Sequence, residues 1–196
     1  MKQIFIYGAS GHGLVVADIA KTCGYEKIIF IDDGNNSYPT FEDIKNKNVI
    51  PMAFGIGNNT IRKKLFDQLK IHHFNMPPLI HPSAIIAPSV DIGEGTVVMP
   101  QVVVNAKSQI GKGVILNTSS VIEHENSIED FVHISPNVAL AGNVTIKEQT
   151  HIGIGSCVIQ GIKIGKNCTI GAGSVVIRNI KNENLAYGNP CKVVKE

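Results

Sequence analysis

Hydrophobic and polar positions follow two different rhythms along the chain. From residue 80 an aliphatic side chain returns at every sixth position: Ile80, Ile86, Ile92, Val98, Val104, Ile110, Leu116, Ile122, Ile128, Ile134, Leu140, Ile146, Ile152, Val158, Ile164, Ile170 and Val176. Ile, Leu and Val fill about a third of the segment, so an unbroken run of this length has a chance probability on the order of 10⁻⁸. Two residues earlier runs a second column of small or β-branched residues, among them Thr96, Ser108, Ser120, Val138, Thr150, Ser156 and Ser174, with Asn126 and Ile162 as its exceptions. Gly93, Gly111, Gly153, Gly165 and Gly171 directly follow the aliphatic, where a tight corner suits a residue without Cβ. A period of six is neither helical nor a simple strand alternation. It predicts a parallel β-helix. Each hexapeptide supplies one flat face, three faces close a coil of 18 residues, and the segment holds roughly five coils. A β-sandwich is the competing reading, but it needs turns at a spacing of about 8–12 residues.

The first part of the chain is organised differently. Gln3–Tyr7 is an apolar run, followed by Gly8-Ala9-Ser10-Gly11-His12-Gly13 and a helical stretch over Leu14–Thr22. A second strand over Lys27–Ile31 ends in Asp32-Asp33, and a third runs over about Val49–Ile56 into Gly57-Asn58-Asn59. A second helix covers Thr60–Lys70. Strand–helix–strand order predicts a small Rossmann-like α/β unit with a parallel sheet. Met76-Pro77-Pro78 reads as the linker, because consecutive prolines cannot continue a helix. The chain thus divides into an α/β unit at residues 1–77 and a β-helix with its tail at residues 78–196.

With 196 residues, 43% of them hydrophobic, the chain is long enough to bury a core. Eighteen Lys and Arg against sixteen Asp and Glu leave a net charge of +2, which offers no electrostatic reason for a nucleic-acid or membrane partner. There is no Trp and only 6% aromatic residues, so stacking platforms for single-stranded nucleic acid are not expected either. Apolar runs such as Ile28–Ile31 fall far short of the roughly 20 residues of a membrane span, and no signal peptide is read. Cys23, Cys157, Cys168 and Cys191 form no C-x-x-C pair, so reduced thiols and a cytoplasmic location are the expectation.

Two regions carry candidate chemistry. The Gly-rich turn joins a strand to a helix N-terminus, where free N–H groups favour an anion. Its spacing is G-x-x-G-x-G and departs from the dinucleotide G-x-G-x-x-G. A nucleotide is expected there, with Asp32 or Asp33 taking a ribose or base edge. NAD and an empty tight turn are the alternatives. His12, between two glycines, reads as a ligand contact. In the repeat, His133 and His151 are 18 apart and should stack, and Ile154 and Ala172 form another such column. His124 has Ala106 and Gly142 as its coil neighbours, which leaves room for a substrate. A three-histidine zinc site lacks the close pair it needs. His124 as general base, with Glu125 raising its basicity, fits acyl transfer to an amine or hydroxyl, though contact between adjacent residues requires a bend at the corner. An exposed polar corner residue is the other reading.

The stretch Asn117-Thr118-Ser119-Ser120-Val121-Ile122-Glu123-His124-Glu125 resembles the active-site strand of the bacterial sugar N- and O-acetyltransferases, a branch of the hexapeptide-repeat acyltransferases. Ile6 to Gly13, Asp32-Asp33, Ile56 to Asn59 and Ala141-Gly142-Asn143 match as well, so the resemblance covers essentially the whole chain. It is strongest to the branch that acetylates the 4-amine of a UDP-4-amino-4,6-dideoxy-N-acetyl-hexosamine. The resemblance implies a left-handed β-helix, acetyl-CoA as co-substrate, no metal, and a homotrimer with sites between subunits. It implies His124 as base and Glu125 as its tuner. His133 would contact acetyl-CoA near the thioester, Ile154 and Ala172 would line the pantetheine groove, and Ser10, Gly11, His12, Asp32, Asp33 and Gly57 would hold the UDP-sugar. The tail Gly188-Asn189-Pro190-Cys191-Lys192 resembles the Gly-x-Pro-Ala-Lys ending of the superfamily, with Lys192 either on CoA phosphates or solvated. An O-acetyltransferase of sialic-acid-like sugars and a non-catalytic nucleotide-sugar-binding protein are the alternatives. Protein glycosylation and surface polysaccharide synthesis are both open as pathways.

Overall fold

The computed structural model describes residues 1–195. Its first unit is a three-stranded parallel sheet in which β1 (Gln3–Tyr7) lies between β2 (Lys27–Ile31) and β3 (Met52–Phe54). Ile4, Phe5, Ile6 and Tyr7 are all buried, as a central strand covered on both faces requires. Helix α1 (Gly11–Thr22) crosses over between β1 and β2, and α3 (Asn59–Ile71) follows β3. Three expectations change. The third strand is short: Val49 is exposed and Pro51 has no N–H to give to a ladder. Helix α1 begins three residues early: Ser10 is the extended residue at its N-terminal boundary and Gly11-His12-Gly13 are already helical. A short helix, α2 (Phe41–Ile44), lies where none was expected, closed by a capping box between Thr40 and Asp43.

The second unit is the predicted β-helix. Its first face stacks seven parallel strands, from Leu79–Ile80 through His133–Ile134 and His151–Ile152 to Leu185–Tyr187. The second face stacks six, from Ile85–Ile86 to Val175–Val176, and the third stacks five, from Asp91–Ile92 to Lys163–Ile164. The stack reaches about six coils, one more than the period predicts. After Val176 the next inward aliphatic is Ile180, four residues on, so the solenoid continues where the hexapeptide rhythm stops. Lys192–Lys195 then pairs antiparallel with Leu185–Tyr187 and ends the first sheet.

From Val98 to Val176 the inward column is buried, whereas Ile80, Ile86 and Ile92 at the open end are half-buried. The glycines following the aliphatic have a different use from the one expected. The left-handed corner lies two residues later, at Ser119, Glu125, Asn137, Asn143 and Gly155 among others. Gly153 itself is demanded by stacking, since a Cβ there would lie 2.6 Å from the Ile170 carbonyl oxygen.

The two units share one interior. Phe131, on the corner between the third and first faces, meets the edge of Phe66 with ring centroids 5.3 Å apart, and Phe66 meets Phe54 of β3. Met76 of the proposed linker is fully buried, so this segment is packed core and not a loose tether. Among the described residues no helix is long and apolar enough to cross a membrane.

Candidate functional site

In the first unit the Gly-rich turn is closed by close packing. Gly8 has φ +104°, and a Cβ on Gly13 would overlap the Gly8 carbonyl oxygen. Gly11 has open space around it, and the Ser10 side chain makes no capping bond, so both remain available at the positive end of α1. Asp32 accepts from the backbone N–H of Ala9 at 3.0 Å and of Gly34 at 2.9 Å, which holds its carboxyl below the usual carboxylate range. Asp33 accepts from the Tyr7 hydroxyl and from the Phe41 N–H at 2.8 Å. Burial and Asp33 push the Tyr7 phenol upward, so it stays a proton donor. The two carboxylates therefore shape the site as well as line it. Beside them is a cavity of about 200 Å³, walled by Gly8, Asp32, Asp33 and Gly34 on one side and by Ile56, Ile61 and Leu65 on the other. An apolar slot with a carboxylate at one edge has the chemistry to take a flat base and its N–H.

A second group forms where the first unit meets the first face. The His12 ring lies 6.4 Å from that of His133, and His133 stacks on His151 at 4.7 Å. Asn117 Nδ2 lies 3.2 Å from His133 Nε2, and Ser135 Oγ lies 2.8 Å from His151 Nε2. His12 Nε2 is buried without a hydrogen-bond partner among the described residues. Burial, and then the Arg62 guanidinium, pushes His12 down to about 4. His133 is pushed down to about 3, first by burial and then by His151, Arg62 and His12, with only the Gly57 backbone favouring its protonated form. Burial and Arg62 lower His151 as well. All three rings are neutral at physiological pH and can accept as well as donate.

Arg62 is the residue that sequence reasoning missed. It is 1% exposed and has no carboxylate partner among the described residues. Its guanidinium donates instead to the carbonyls of Ile56 and Gly57 in the loop after β3, to those of Gly113, Phe131 and Val132 on the β-helix, and to Asn59 Oδ1. It thereby fixes the Gly57 loop against the strand that leads into His133. Between α3 and the coils lies an open cleft of about 570 Å³, lined by Gly57, Asn59, His151 and Thr169 among others. In the sequence Arg62 stands beside Lys63 and Lys64 on an amphipathic helix, and nothing in that pattern marks it.

The third group stands apart. His124 is at the corner between the second and third faces, opposite the first face that carries His133. Its Nδ1 lies 3.1 Å from Glu125 Oε2, a contact possible because Glu125 adopts φ +59° and turns the corner back. The room expected over Gly142 is filled by the His124 ring itself: a Cβ on Gly142 would lie 2.5 Å from His124 Cε1. Ile154 and Ala172 occupy the remaining corner, between the first and second faces, where the Gly173 N–H donates to the Ile154 carbonyl at 2.8 Å. Both are exposed. Within one chain the structure brings Ser10, Gly11, His12, Gly57 and His133 to one side and Asp32 with Asp33 beside them. His124 and Glu125 are on another edge, and Ile154 and Ala172 on the third. Lys192 pairs with Tyr187 at the end of the first sheet. No group of three or more His, Cys, Asp or Glu able to hold a metal occurs among the described residues.

Residues 3–69 match the family described as the PglD N-terminal domain, and residues 143–178 match the bacterial transferase hexapeptide family of six repeats. UDP-N-acetylbacillosamine N-acetyltransferase of Bacillus subtilis is 36% identical over 114 residues, which covers 50% of this chain and 52% of that protein. The match thus spans about half the length of that relative. Among solved structures, PerB from Caulobacter crescentus in complex with CoA and GDP-perosamine superposes with a TM-score of 0.94 at 34% identity, covering 98% of this chain and 97% of that one. The acetyltransferase domain of PglB from Neisseria gonorrhoeae in complex with acetyl coenzyme A superposes with a TM-score of 0.92 at 37% identity, covering 98% and 99%. Likeness at this identity over both units together, in the same order, shows that the chain belongs to the hexapeptide-repeat family of bacterial sugar N-acetyltransferases.

Proposed function

We propose that the protein transfers the acetyl group of acetyl-CoA to the amine of a nucleotide-linked amino sugar. The acceptor is a UDP-4-amino-4,6-dideoxy-N-acetyl-hexosamine, its base in the slot of Ile56, Ile61 and Leu65 and its phosphates toward Ser10 and Gly11. The observation that carries this reading is His124 seated over Gly142 with Glu125 at 3.1 Å, an exposed imidazole held by a carboxylate. The sugar amine attacks the thioester carbonyl carbon, and a C–N bond forms. His124 Nε2 takes the proton that the amine must lose, Glu125 stabilises the imidazolium, and the C–S bond then breaks. The proton returns to the departing CoA sulfur. His133, neutral and inside hydrogen-bond reach of Asn117, adjoins the thioester, with the pantetheine arm along Ile154 and Ala172.

The separation of His124 from His133 in one chain supports a site assembled between copies. The second face is apolar along its outward positions: Ile85, Val103, Val121, Ala139, Cys157 and Val175. Ile85 is 67% exposed, whereas the third face presents Asp91, Gln109, Ser127, Thr145 and Lys163. A flat apolar face next to the His124 corner is suited to a second copy of this chain, and cyclic closure as a homotrimer satisfies every such face.

The test is free-thiol release from acetyl-CoA with a UDP-4-amino-4,6-dideoxy sugar, followed by mass spectrometry of the sugar. One acetyl group gained on the amine is the expected result. Binding of both substrates without thiol release would overturn the choice of acceptor, and a GDP-linked 4-amino sugar and a sialic-acid-type hydroxyl are the comparison arms.

A further inference from the structure

The second column of the repeat is broken at Asn126, two residues after His124. At Thr96, Ser108, Thr150 and Ser156 a hydroxyl in this column staples one coil to the next in a fixed way, whereas Ser120 Oγ finds no partner among the described residues and Ser174 Oγ turns back to the Gly171 carbonyl. Thr96 Oγ1 donates to the Gly111 carbonyl at 2.8 Å and accepts from the Val114 N–H at 3.0 Å, and Thr150 repeats this with Gly165 and Cys168. Asn126 makes the same staple to the Ala141 carbonyl at 3.0 Å and from the Val144 N–H at 2.8 Å. Its second amide hydrogen also reaches back to the Glu123 carbonyl, which Ser108 Oγ of the preceding coil meets at 2.8 Å as well. Two other carbonyls among the described residues take two side-chain donors from the coils, Gly171 and Lys181, and both lie in the last coils where the stack ends. Glu123 lies in the middle of the stack, directly before His124.

Where the preceding coil has no hydroxyl in this column the backbone closes the turn, as with Ser120 N–H to Asn117 at 3.1 Å and Ser156 N–H to Gly153 at 3.2 Å, and where it has a stapling one the N–H goes to that hydroxyl, as at Val114, Cys168 and Ser174. Here the Asn126 N–H goes to Ser108 Oγ at 3.2 Å, and side chains hold the Glu123 carbonyl. Asn126 is 1% exposed. It ties together the carbonyl before His124 and the carbonyl before Gly142, the residue on which the His124 ring rests. We propose that Asn126, with Ser108, is a positioning residue for His124, setting the spacing between the base's own corner and its Gly142 ledge. This rests on the reading of His124 as the base.

Three variants separate the bonds. Asn126→Ser has a single hydroxyl hydrogen, so it can donate to the Ala141 carbonyl or, as Ser174 does to Gly171, to the carbonyl three residues back, but it cannot tie Ala141 and Glu123 together. Asn126→Val loses both in a shape that Val144 already shows to fit this column. Thr96→Val removes the ordinary staple at a corner without His124. The expected result is a fall in kcat of about threefold to tenfold for Asn126→Ser and more for Asn126→Val. KM for both substrates should stay unchanged, and the acid limb of the kcat profile should keep its position while its plateau drops. Thr96→Val should lose a similar amount of thermal stability and keep its kcat. Crystal structures of the Asn126 variants should show the His124 ring displaced from Gly142. A ring that superposes on its original place, or kcat within twofold of the parent in both Asn126 variants, overturns the proposal. Absence of acetyl transfer by the unmodified protein would instead overturn the proposed function, and the ring position is then read independently of activity.

Discussion

The imidazoles of His133 and His151 lie 4.7 Å apart and 10° from parallel, in register on adjacent strands of the first face. Among the described residues no carboxylate relieves this stack; the charged group that acts on both rings is the buried Arg62. Protonating either ring inside the fold is therefore costly, which gives the first prediction. An unfolded histidine titrates near 6.5, whereas His133 and His12 are pushed down to about 3 and about 4. Between those values the unfolded chain binds protons that the folded chain does not, so stability is full above about pH 6.5 and falls as the pH drops. Each ring contributes a slope of up to about 1.4 kcal/mol per pH unit. Urea unfolding at pH 5 and pH 7 should show this loss, and His133→Gln should reduce it. An unchanged slope in that variant would mean His133 is not a source of it.

His124→Ala should lower kcat by roughly 10²- to 10⁴-fold, the usual worth of a positioned general base. Nucleotide-sugar binding by calorimetry should stay near that of the parent, since the base slot is lined by residues of the first unit and His124 stands on a corner of the β-helix. Turnover at the parent rate would remove His124 from the mechanism.

Gly142→Ala is a gentler probe of the same geometry. The added Cβ meets ring atoms of His124 at 2.5 and 2.6 Å, and no backbone atom is among its nearest contacts. A side chain ring can swing aside, so the fold should tolerate the change with a Tm shift of a few degrees at most. The cost falls on the ring's position: kcat should drop about tenfold or more. Normal kcat with a lowered Tm would show that the ring's seat does not matter.

Much of this architecture is written in the chain. The six-residue column specifies the β-helix, and the difference of 18 between His133 and His151 specifies their stack. The bend that lets Glu125 reach His124 is foreseen as a requirement, and the left-handed corner supplies it. What stays hidden is hidden for physical reasons. The solenoid outlasts its period after Val176 because any inward aliphatic can fill the axis once the chain shortens a corner, as Ile180 does. Arg62 carries no sequence mark because its partners are main-chain carbonyls, which every residue type offers. The spread of the candidate site residues over separate corners of the coil is a matter of coil geometry, and residue types alone do not state it.

Arg62→Met should be among the most destabilising single changes in the chain. Six hydrogen bonds to buried or half-buried oxygens are lost, and the carbonyls of Gly113 and Phe131 are left without that donor in the interior between the two units. Each stranded group costs on the order of 1–3 kcal/mol, so a total loss of about 3–5 kcal/mol is expected, offset in part by the cost of burying the charge itself. Arg62→Lys should recover little, because one ammonium cannot span acceptors on both units. Chemical denaturation measures the loss. A change under about 1 kcal/mol would mean that water replaces the guanidinium.

A site shared between copies makes a prediction that no single-chain site can meet. Let one variant be His124→Ala, with an intact sugar side, and let the other be Ile61→Glu. Ile61 is a half-exposed residue on α3, and a charge there should block the base slot without disturbing the core. Each variant alone should be inactive. If His124 of one copy serves the sugar held by the next, a trimer refolded from an equal mixture contains sites with both halves intact. Random assembly makes these about a quarter of all sites, so about a quarter of the parent activity should return. The same mixture combined after folding, under conditions where subunits do not exchange, should stay inactive. If both halves of the site belonged to one chain, no mixture would recover activity, and the apolar second face would have to serve some purpose other than completing the site.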